Sequence, residues 1–581
     1  MTDTDQVFVP ATTYDLAKAE GRFARFDPGQ RTLPAGWRYN EDYGPLAVDI
    51  TFDKDVAVEL RDGTTIYVDV FRPAGATDIP VIVAWSPYGK DRGTSQAMTQ
   101  LRKQLGIDTQ QLSGLMKFEA PDPGFWCARG YAVCNPDARG ATNSEGDIQF
   151  FGTQEGRDAA DLVEWLAAQA WCNGRVGMNG NSYLAVSQWF TAAEQPAHLA
   201  AIAPWEGFSD IYRDILCRGG IPDTTVSENL KSLNFIGRNR MEDASAEIER
   251  YPLMNDLWRS KIPALDRITV PAYVVASYSN TFHTEGTFRA WEHIASEHKW
   301  LRIHDRMEWP DLYRPENQLD LKAFFDHFLK GIDNDWPATP RVRYSLLDLV
   351  EDNLTGLPAT SFPPPGVRDT WYHLDADSRA VAPAPTEAPG VVRYDGTDEN
   401  GRAEFTLTVT EQTQLAGHPV ARLWVEAENA DDMDLFLLLQ KLDGDGQPLT
   451  CLNVDSTNPA LQEVTRHGAS ILRYRGATGL QRVSLRHLDQ NSDGAVPRHT
   501  FDRVEKLTAG QIVPVEIVLQ PIGLILRPGE SLRLVVSGTN LVGGPQPGMA
   551  ATELDNHGTH VIHTGGQYDS ALRLPVLAGG R

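Results

Sequence analysis

From about residue 46 to 340, short apolar runs alternate with helix-length amphipathic stretches. The runs cover residues 81–85, 131–134, 175–178, 199–203, 273–276 and 300–303. Each is too short for a buried helix and most are β-branched, so they read as central strands of a parallel sheet. Between two of them, residues 154–169 carry Ala159, Leu162, Val163, Trp165 and Leu166 at helical spacing. Alternation of this kind predicts a doubly wound α/β core. Between Trp205 and Pro263 it stops, and groups such as Ile211, Tyr212, Ile215, Leu216 and Leu253, Met254, Leu257, Trp258 predict a helical cap over 206–263. Insertions at the carboxyl end of such a sheet commonly cover its site. Residues 1–45 show no clear period and read as an N-terminal extension packed on something else. Beyond 341, Pro-rich linkers (Phe362-Pro363-Pro364-Pro365-Gly366, Ala382-Pro383-Ala384-Pro385) separate short alternating segments such as 422–426 and 531–536. Many short strands with Gly/Pro turns predict an all-β sandwich over 341–581. The expected domains are therefore 1–45, a core of 46–205 with 264–340, a cap of 206–263, and the sandwich.

Composition narrows the function classes. The 581 residues carry 53 basic and 78 acidic side chains, a net charge of −25. That argues against a nucleic-acid-binding surface, which needs a basic stripe. The five cysteines lack the close, repeated spacing of a zinc site or a disulfide framework. The polar N-terminus lacks the apolar core of a secretory signal, and no run approaches the roughly 18 apolar residues of a membrane span. A cytoplasmic protein with no membrane partner is expected.

The informative segment is Arg175-Val176-Gly177-Met178-Asn179-Gly180-Asn181-Ser182-Tyr183-Leu184-Ala185-Val186. A strand feeds Gly180-Asn181-Ser182 and an apolar helix leaves, the context of a nucleophile elbow that lifts a serine hydroxyl above the sheet. The usual second glycine of G-x-S-x-G is missing, with Leu184 in its place. The plainer alternative is an ordinary strand-to-helix turn with a capping serine.

The ordered series from Leu60-Arg61-Asp62-Gly63-Thr64 through Ser86-Pro87-Tyr88-Gly89-Lys90, Asp137-Ala138-Arg139-Gly140, Gln169-Ala170-Trp171-Cys172-Asn173-Gly174 and Gly180-Asn181-Ser182-Tyr183-Leu184 resembles the cocaine esterase and X-prolyl dipeptidyl-peptidase family of α/β-hydrolases. Phe324-Phe325-Asp326-His327-Phe328-Leu329-Lys330-Gly331 and the terminal sandwich extend the likeness over nearly the whole chain. The resemblance implies an α/β-hydrolase core, a helical cap and a C-terminal jelly roll. It gives Ser182 the nucleophile's place, and it gives the oxyanion hole to the Tyr183 backbone N–H and the Tyr88 hydroxyl. Asp137 and Arg139 are expected to brace loops beside the site.

The acid and base depart from the pattern. The resemblance implies an aspartate in the loop after 273–276, where this chain has Ser277-Tyr278-Ser279-Asn280-Thr281-Phe282-His283 and Asn280 takes the place of the acid. It implies a histidine after the last core strand, where this chain has His304-Asp305-Arg306-Met307-Glu308 and Glu308 falls at the histidine's place. Two repairs are open. In one, His283 is the base and Glu308 its carboxylate, the two loops having exchanged roles. In the other, His304 is the base, oriented by Asn280, Asp305 or Asp311. Triads are defined by geometry and roles rather than by order in the chain, so either is admissible. A third outcome is a serine that is weakly catalytic or used otherwise.

Other motifs add little. Steps of three place His557, His560 and His563 on alternating faces of a strand, so no metal is expected there. No phosphate-binding glycine loop occurs. The expectation is a cofactor-free serine hydrolase acting through an acyl-enzyme on a small-molecule ester, or an amide. An acyltransferase or peptidase of the same fold, and a binding protein with a vestigial core, are the alternatives. No nucleic-acid partner is expected, and homo-oligomerisation is left open.

Overall fold

The computed structural model describes residues 6–11, 26–90, 93, 95–456, 458–489, 496–544, 554 and 556–578. Residues 1–5 and 12–25 of the expected N-terminal extension lie outside them. The core is an 11-stranded sheet. In chain order its members, with two short strands outside it, are β1 (Phe8–Pro10), β2 (Gly29–Leu33), β3 (Ile50–Glu59), β4 (Thr65–Pro73), β5 (Ile79–Val83), β6 (Ala132–Asp137), β7 (Cys172–Asn181), β8 (Leu199–Trp205), β9 (Arg240–Glu242), β10 (Ala272–Ser277), β11 (Lys299–His304), β12 (Val342–Leu346) and β13 (Leu354–Ala359). The spatial order is β13-β12-β11-β10-β8-β7-β5-β6-β4-β3-β2. The strands from β6 to β12 are mutually parallel, and β2, β3, β4 and β13 pair antiparallel at the two edges.

All six apolar runs are strands of this sheet, and β5, β6 and β10 are buried along their whole length. Helices pack on both faces, as parallel connections require. They include α1 (Thr153–Ala167), α2 (Tyr183–Ala193), α3 (Thr284–His293), α4 (Glu308–Tyr313) and α5 (Pro315–Lys330).

The sheet is wider than the sequence pattern predicts, starting at residue 29 rather than 46 and ending at 359 rather than 340. Both extra edges are exposed: β2 (GQRTL) buries only its last residue, and β13 (LTGLPA) buries none fully. Such strands carry no core-facing stripe for periodicity to detect. The other short pair joins the N-terminal segment to the 206–263 stretch, β1 lying antiparallel to β9.

Beyond the core, the C-terminal region is all-β. A four-stranded antiparallel sheet packs against a nine-stranded one, and strand Val420–Glu428 shows the inward–outward alternation of a sheet buried on one face. This region joins the core directly. Leu347 forms a bridge to Leu524, and Tyr278 packs so closely over Gly523 that a Cβ there would lie 2.6 Å from its ring. No helix among the described residues is long and apolar enough to cross a membrane.

Candidate active site

The site lies at the carboxyl ends of β7, β8, β10 and β11. Strand β7 ends at Asn181 and α2 begins at Tyr183, leaving Ser182 alone at the corner with φ 56° and ψ −117°. That conformation is sparsely populated for a residue with a Cβ and costs on the order of 1–3 kcal/mol. Two backbone hydrogen bonds hold it, from Ser182 N–H to Trp205 O at 3.2 Å and to Glu206 O at 2.8 Å. The chain can turn this sharply because Gly180 has φ +148° and no side chain; a Cβ there would meet the Leu184 Cβ at 2.5 Å. A single glycine thus makes the room that the G-x-S-x-G pattern shares between two.

His283 faces the serine. Its Nε2 lies 3.1 Å from Ser182 Oγ, and Ser182 is half-buried while His283 is 5% exposed. Burial pushes the imidazole pKa down to about 3, so His283 is a neutral base. It stands immediately before α3, whose first turn is pinned by the Thr284 and Thr287 hydroxyls on the Asn280 and His283 carbonyls. The Asn280 side-chain oxygen accepts from the backbone N–H groups of Phe282 and His283, which fixes the orientation of the amide. Its Nδ2 therefore faces His283 Nδ1, at 2.8 Å. An amide donor there favours a proton on Nε2, the tautomer that cannot take one from Ser182. The competent tautomer carries its proton on Nδ1, and the carboxylate within reach is Glu308, whose Oε1 is 3.7 Å away.

Glu308 opens α4 and is 2% exposed. Burial, and then the nearby charge of Glu206, hold its pKa well above the usual carboxylate range. Glu206 follows β8 with φ 47° and is fully buried. It accepts from Ser277 Oγ at 3.0 Å, and its Oε1 lies 2.6 Å from His304 Nε2. One ligand-type atom each from Glu206, His283 and Glu308 fall within 4.8 Å of one another, a spacing that could also hold a metal ion.

His304, the other candidate base, ends β11 on this second carboxylate, with its Nδ1 3.7 Å from Asp311 Oδ1. Asp311 is held by Arg302 and by Trp205 Nε1 at 2.9 Å; burial raises its pKa, but the Arg302 guanidinium more than reverses this. Asp305 turns away to Asn353 and Arg306. The structure thus brings Ser182, His283, Asn280 and Glu308 together and sets His304 one step behind them.

Tyr88 is 4% exposed and packs with its ring 5.4 Å from that of Tyr183. Its loop is held by two lysines, of which Lys117 had no signal in the sequence. Lys117 Nζ donates to Ser86 O at 2.8 Å and to Pro136 O at 2.5 Å, and burial brings its pKa down to about 7. Lys90 bridges Asp55 (2.6 Å) and Asp137 (2.8 Å). Asp137 and Arg139 brace loops, Arg139 pairing with Asp158 and Asp62. Tyr183 starts α2, where the first N–H groups have no intrahelical acceptor. Its hydroxyl donates to Glu155 at 2.9 Å, and burial pushes the Glu155 pKa up to about 8. Glu155, like Glu206, escaped sequence reasoning.

The sandwich buttresses the loops that carry His283 and Glu308: Thr281 Oγ1 lies 3.0 Å from Ser470 Oγ, and Met307 N–H donates to Asn453 O at 2.8 Å. In the sandwich itself, His560 meets Tyr394 and Asn556 while His563 pairs with Glu426.

Residues 62–306 match the X-Pro dipeptidyl-peptidase (S15) family, and residues 334–573 match the X-Pro dipeptidyl-peptidase C-terminal non-catalytic domain. A cocaine esterase from Rhodococcus sp. is 35% identical, the alignment covering 90% of this chain and 98% of that one. A putative serine esterase from Mycobacterium bovis is 34% identical over 83% of this chain and 90% of that one. Among solved structures, a CocE/NonD family hydrolase from Staphylococcus aureus superposes with a TM-score of 0.85 at 36% identity, covering 95% of this chain and 97% of that one. An α-amino acid ester hydrolase shares the fold, with a TM-score of 0.66 at 15% identity over 91% of this chain and 97% of that one. An α/β core with a serine elbow, a C-terminal all-β region and near full-length likeness agree: the chain belongs to the CocE/NonD family of serine hydrolases.

Proposed function

We propose that the enzyme cleaves a small-molecule carboxylic ester through an acyl-enzyme on Ser182, with His283 as base and Glu308 as its carboxylate. The observation that carries this reading is the 3.1 Å contact between Ser182 Oγ and His283 Nε2. Ser182 Oγ attacks the ester carbonyl carbon and its proton passes to His283 Nε2. The developing imidazolium is stabilised by Glu308 at Nδ1. The oxyanion accepts from the Tyr183 N–H and the Tyr88 hydroxyl. Collapse breaks the bond to the alcohol, which leaves with the proton from His283. Water then attacks the acyl carbon, giving its proton to His283, and collapse releases the acid and Ser182. An ester is favoured because the relatives at 34–35% identity carry esterase names.

Stopped-flow mixing with a p-nitrophenyl ester tests the covalent step. A burst of p-nitrophenolate approaching one equivalent per enzyme, followed by slower turnover, is expected where deacylation limits. Turnover with no acyl adduct detectable on Ser182 after acid quench would contradict it. Tyr88→Phe should lower kcat about 10²–10³-fold with little change in KM, because the lost hydrogen bond forms in the transition state.

The pH dependence follows from Glu308. Because burial and Glu206 raise its pKa, the competent carboxylate appears only as pH climbs through that raised value, and activity falls as pH drops through it. Free His283 adds no limb near 6.5, being neutral down to about 3. Glu206→Gln removes the like charge, so the acid limb of kcat/KM should move to lower pH by on the order of one unit. An unmoved limb would show that Glu206 does not act on Glu308.

A further inference from the structure

The two oxyanion donors belong to different parts of the core. The Tyr88 hydroxyl is carried by the loop that leaves β5, and the Tyr183 N–H opens α2. Both must reach one developing oxygen at about 2.7–3.1 Å, so the distance between the two segments has to be fixed. The ladder between β5 and β7 stops at Val83 and Met178, well short of both donors. Glu155, in the first turn of α1, closes this gap. Its Oε1 accepts from Trp85 Nε1–H and its Oε2 from the Tyr183 hydroxyl, both at 2.9 Å. Trp85 precedes Tyr88 by three residues, and Tyr183 carries the second donor on its own backbone.

Trp85, Glu155 and Tyr183 are all buried. Helix α1 reaches this far because Gly156 lets it lie against α2, where a Cβ would meet Phe190 O at 2.6 Å. A second bond repeats the tie, from Ser187 Oγ on α2 to Trp85 O at 3.1 Å. Movement of Trp85 passes to Tyr88 along a stiff path. Pro87 fixes its own φ, Lys117 holds the Ser86 carbonyl, and the Tyr88 ring lies 5.4 Å from that of Tyr183. Burying a carboxyl costs stability even when it is hydrogen-bonded, and an apolar side chain would pack α1 on α2 at lower cost. What the carboxyl adds is direction, since two hydrogen bonds to one rigid plane fix both partners in distance and angle.

We propose that Glu155 is a positioning residue for the oxyanion hole: by holding Trp85 and Tyr183 on its two oxygens, it sets the distance between the Tyr88 hydroxyl and the Tyr183 N–H. This rests on the hydrolase reading above and deepens it. Glu155 touches no reacting atom and acts only through the two donors.

The test measures kcat and KM for p-nitrophenyl acetate in a set of variants. Glu155→Met removes both contacts at similar volume and should lower kcat about 10–10²-fold with KM within about 2-fold, since a donor misplaced by about 1 Å is lost mainly in the transition state. Glu155→Gln should recover most of this loss. Its amide accepts from Trp85 Nε1–H and donates to the Tyr183 oxygen, whose own proton turns to Gln149 O, 3.4 Å away. In the Tyr88→Phe background, Glu155→Met should cost less than about 3-fold more, because the donor pair is already broken. A role in packing alone would lower kcat by the same factor in both backgrounds. Should Glu155→Met not fold, Tyr183→Phe removes one of the two contacts while keeping the N–H, and it should show the same coupling to Tyr88→Phe on a smaller loss. Equal factors in the two backgrounds, or Glu155→Gln as slow as Glu155→Met, would overturn the proposal. Full kcat in Tyr88→Phe would overturn the oxyanion assignment and the proposal with it. No acyl adduct on Ser182 of folded wild type would instead overturn the hydrolase reading.

Discussion

His283→Ala should lower kcat about 10⁴–10⁶-fold, as loss of the base does in serine triads, while His304→Ala keeps activity within about 10-fold at its own pH optimum. The asymmetry follows from position. His283 Nε2 is 3.1 Å from Ser182 Oγ, whereas His304 Nε2 is 2.6 Å from Glu206. His304 reaches the site through Glu206, whose charge acts on Glu308. Its removal should therefore move the acid limb of the pH profile rather than abolish the chemistry. Parallel kcat and pH profiles of the two variants check this, and the reverse ranking would make His304 the base.

Glu308→Gln should cost about 10²–10⁴ in kcat, because no carboxylate then meets the imidazolium and His283 rests in the tautomer that Asn280 favours. Adding Asn280→Asp should restore much of the loss. The Asn280 side-chain oxygen is already anchored by two backbone N–H groups, so the substitution replaces the Nδ2 that lies 2.8 Å from His283 Nδ1 with a carboxylate oxygen. Recovery in the double variant would identify the missing function as an acceptor for Nδ1–H. If the double variant stays as slow as Glu308→Gln alone, Glu308 does something other than accept that proton. Measured kcat values for the two single variants and the pair form the cycle.

The two loops show what a sequence can and cannot carry. The core strands were legible because strands buried on both faces must be continuous apolar runs, as in β5 and β10. The elbow was legible because the turn needs a small residue at Gly180. The missing acid and base were legible as departures, but the choice between His283 and His304 was not. Both sit at strand ends, and only the start of α3 turns His283 toward the serine while β11 delivers His304 to Glu206. Glu206 left no signal, since its place depends on a backbone kink after β8. Lys117 left none either, because the Ser86 and Pro136 carbonyls it holds are 31 and 19 residues away from it in the chain and come together only on folding. The exposed edge strands β2 and β13 escaped for the opposite reason, having too little buried surface to pattern.

The most direct test of the central claim, that Ser182 is activated by His283, is the rate at which a fluorophosphonate labels the protein, read by intact and peptide mass spectrometry. Wild type and His304→Ala should gain one adduct, on Ser182. Ser182→Ala should gain none, and His283→Ala should label slower by orders of magnitude. Rapid labelling of Ser182 in His283→Ala, or no labelling of folded wild type, would contradict the account.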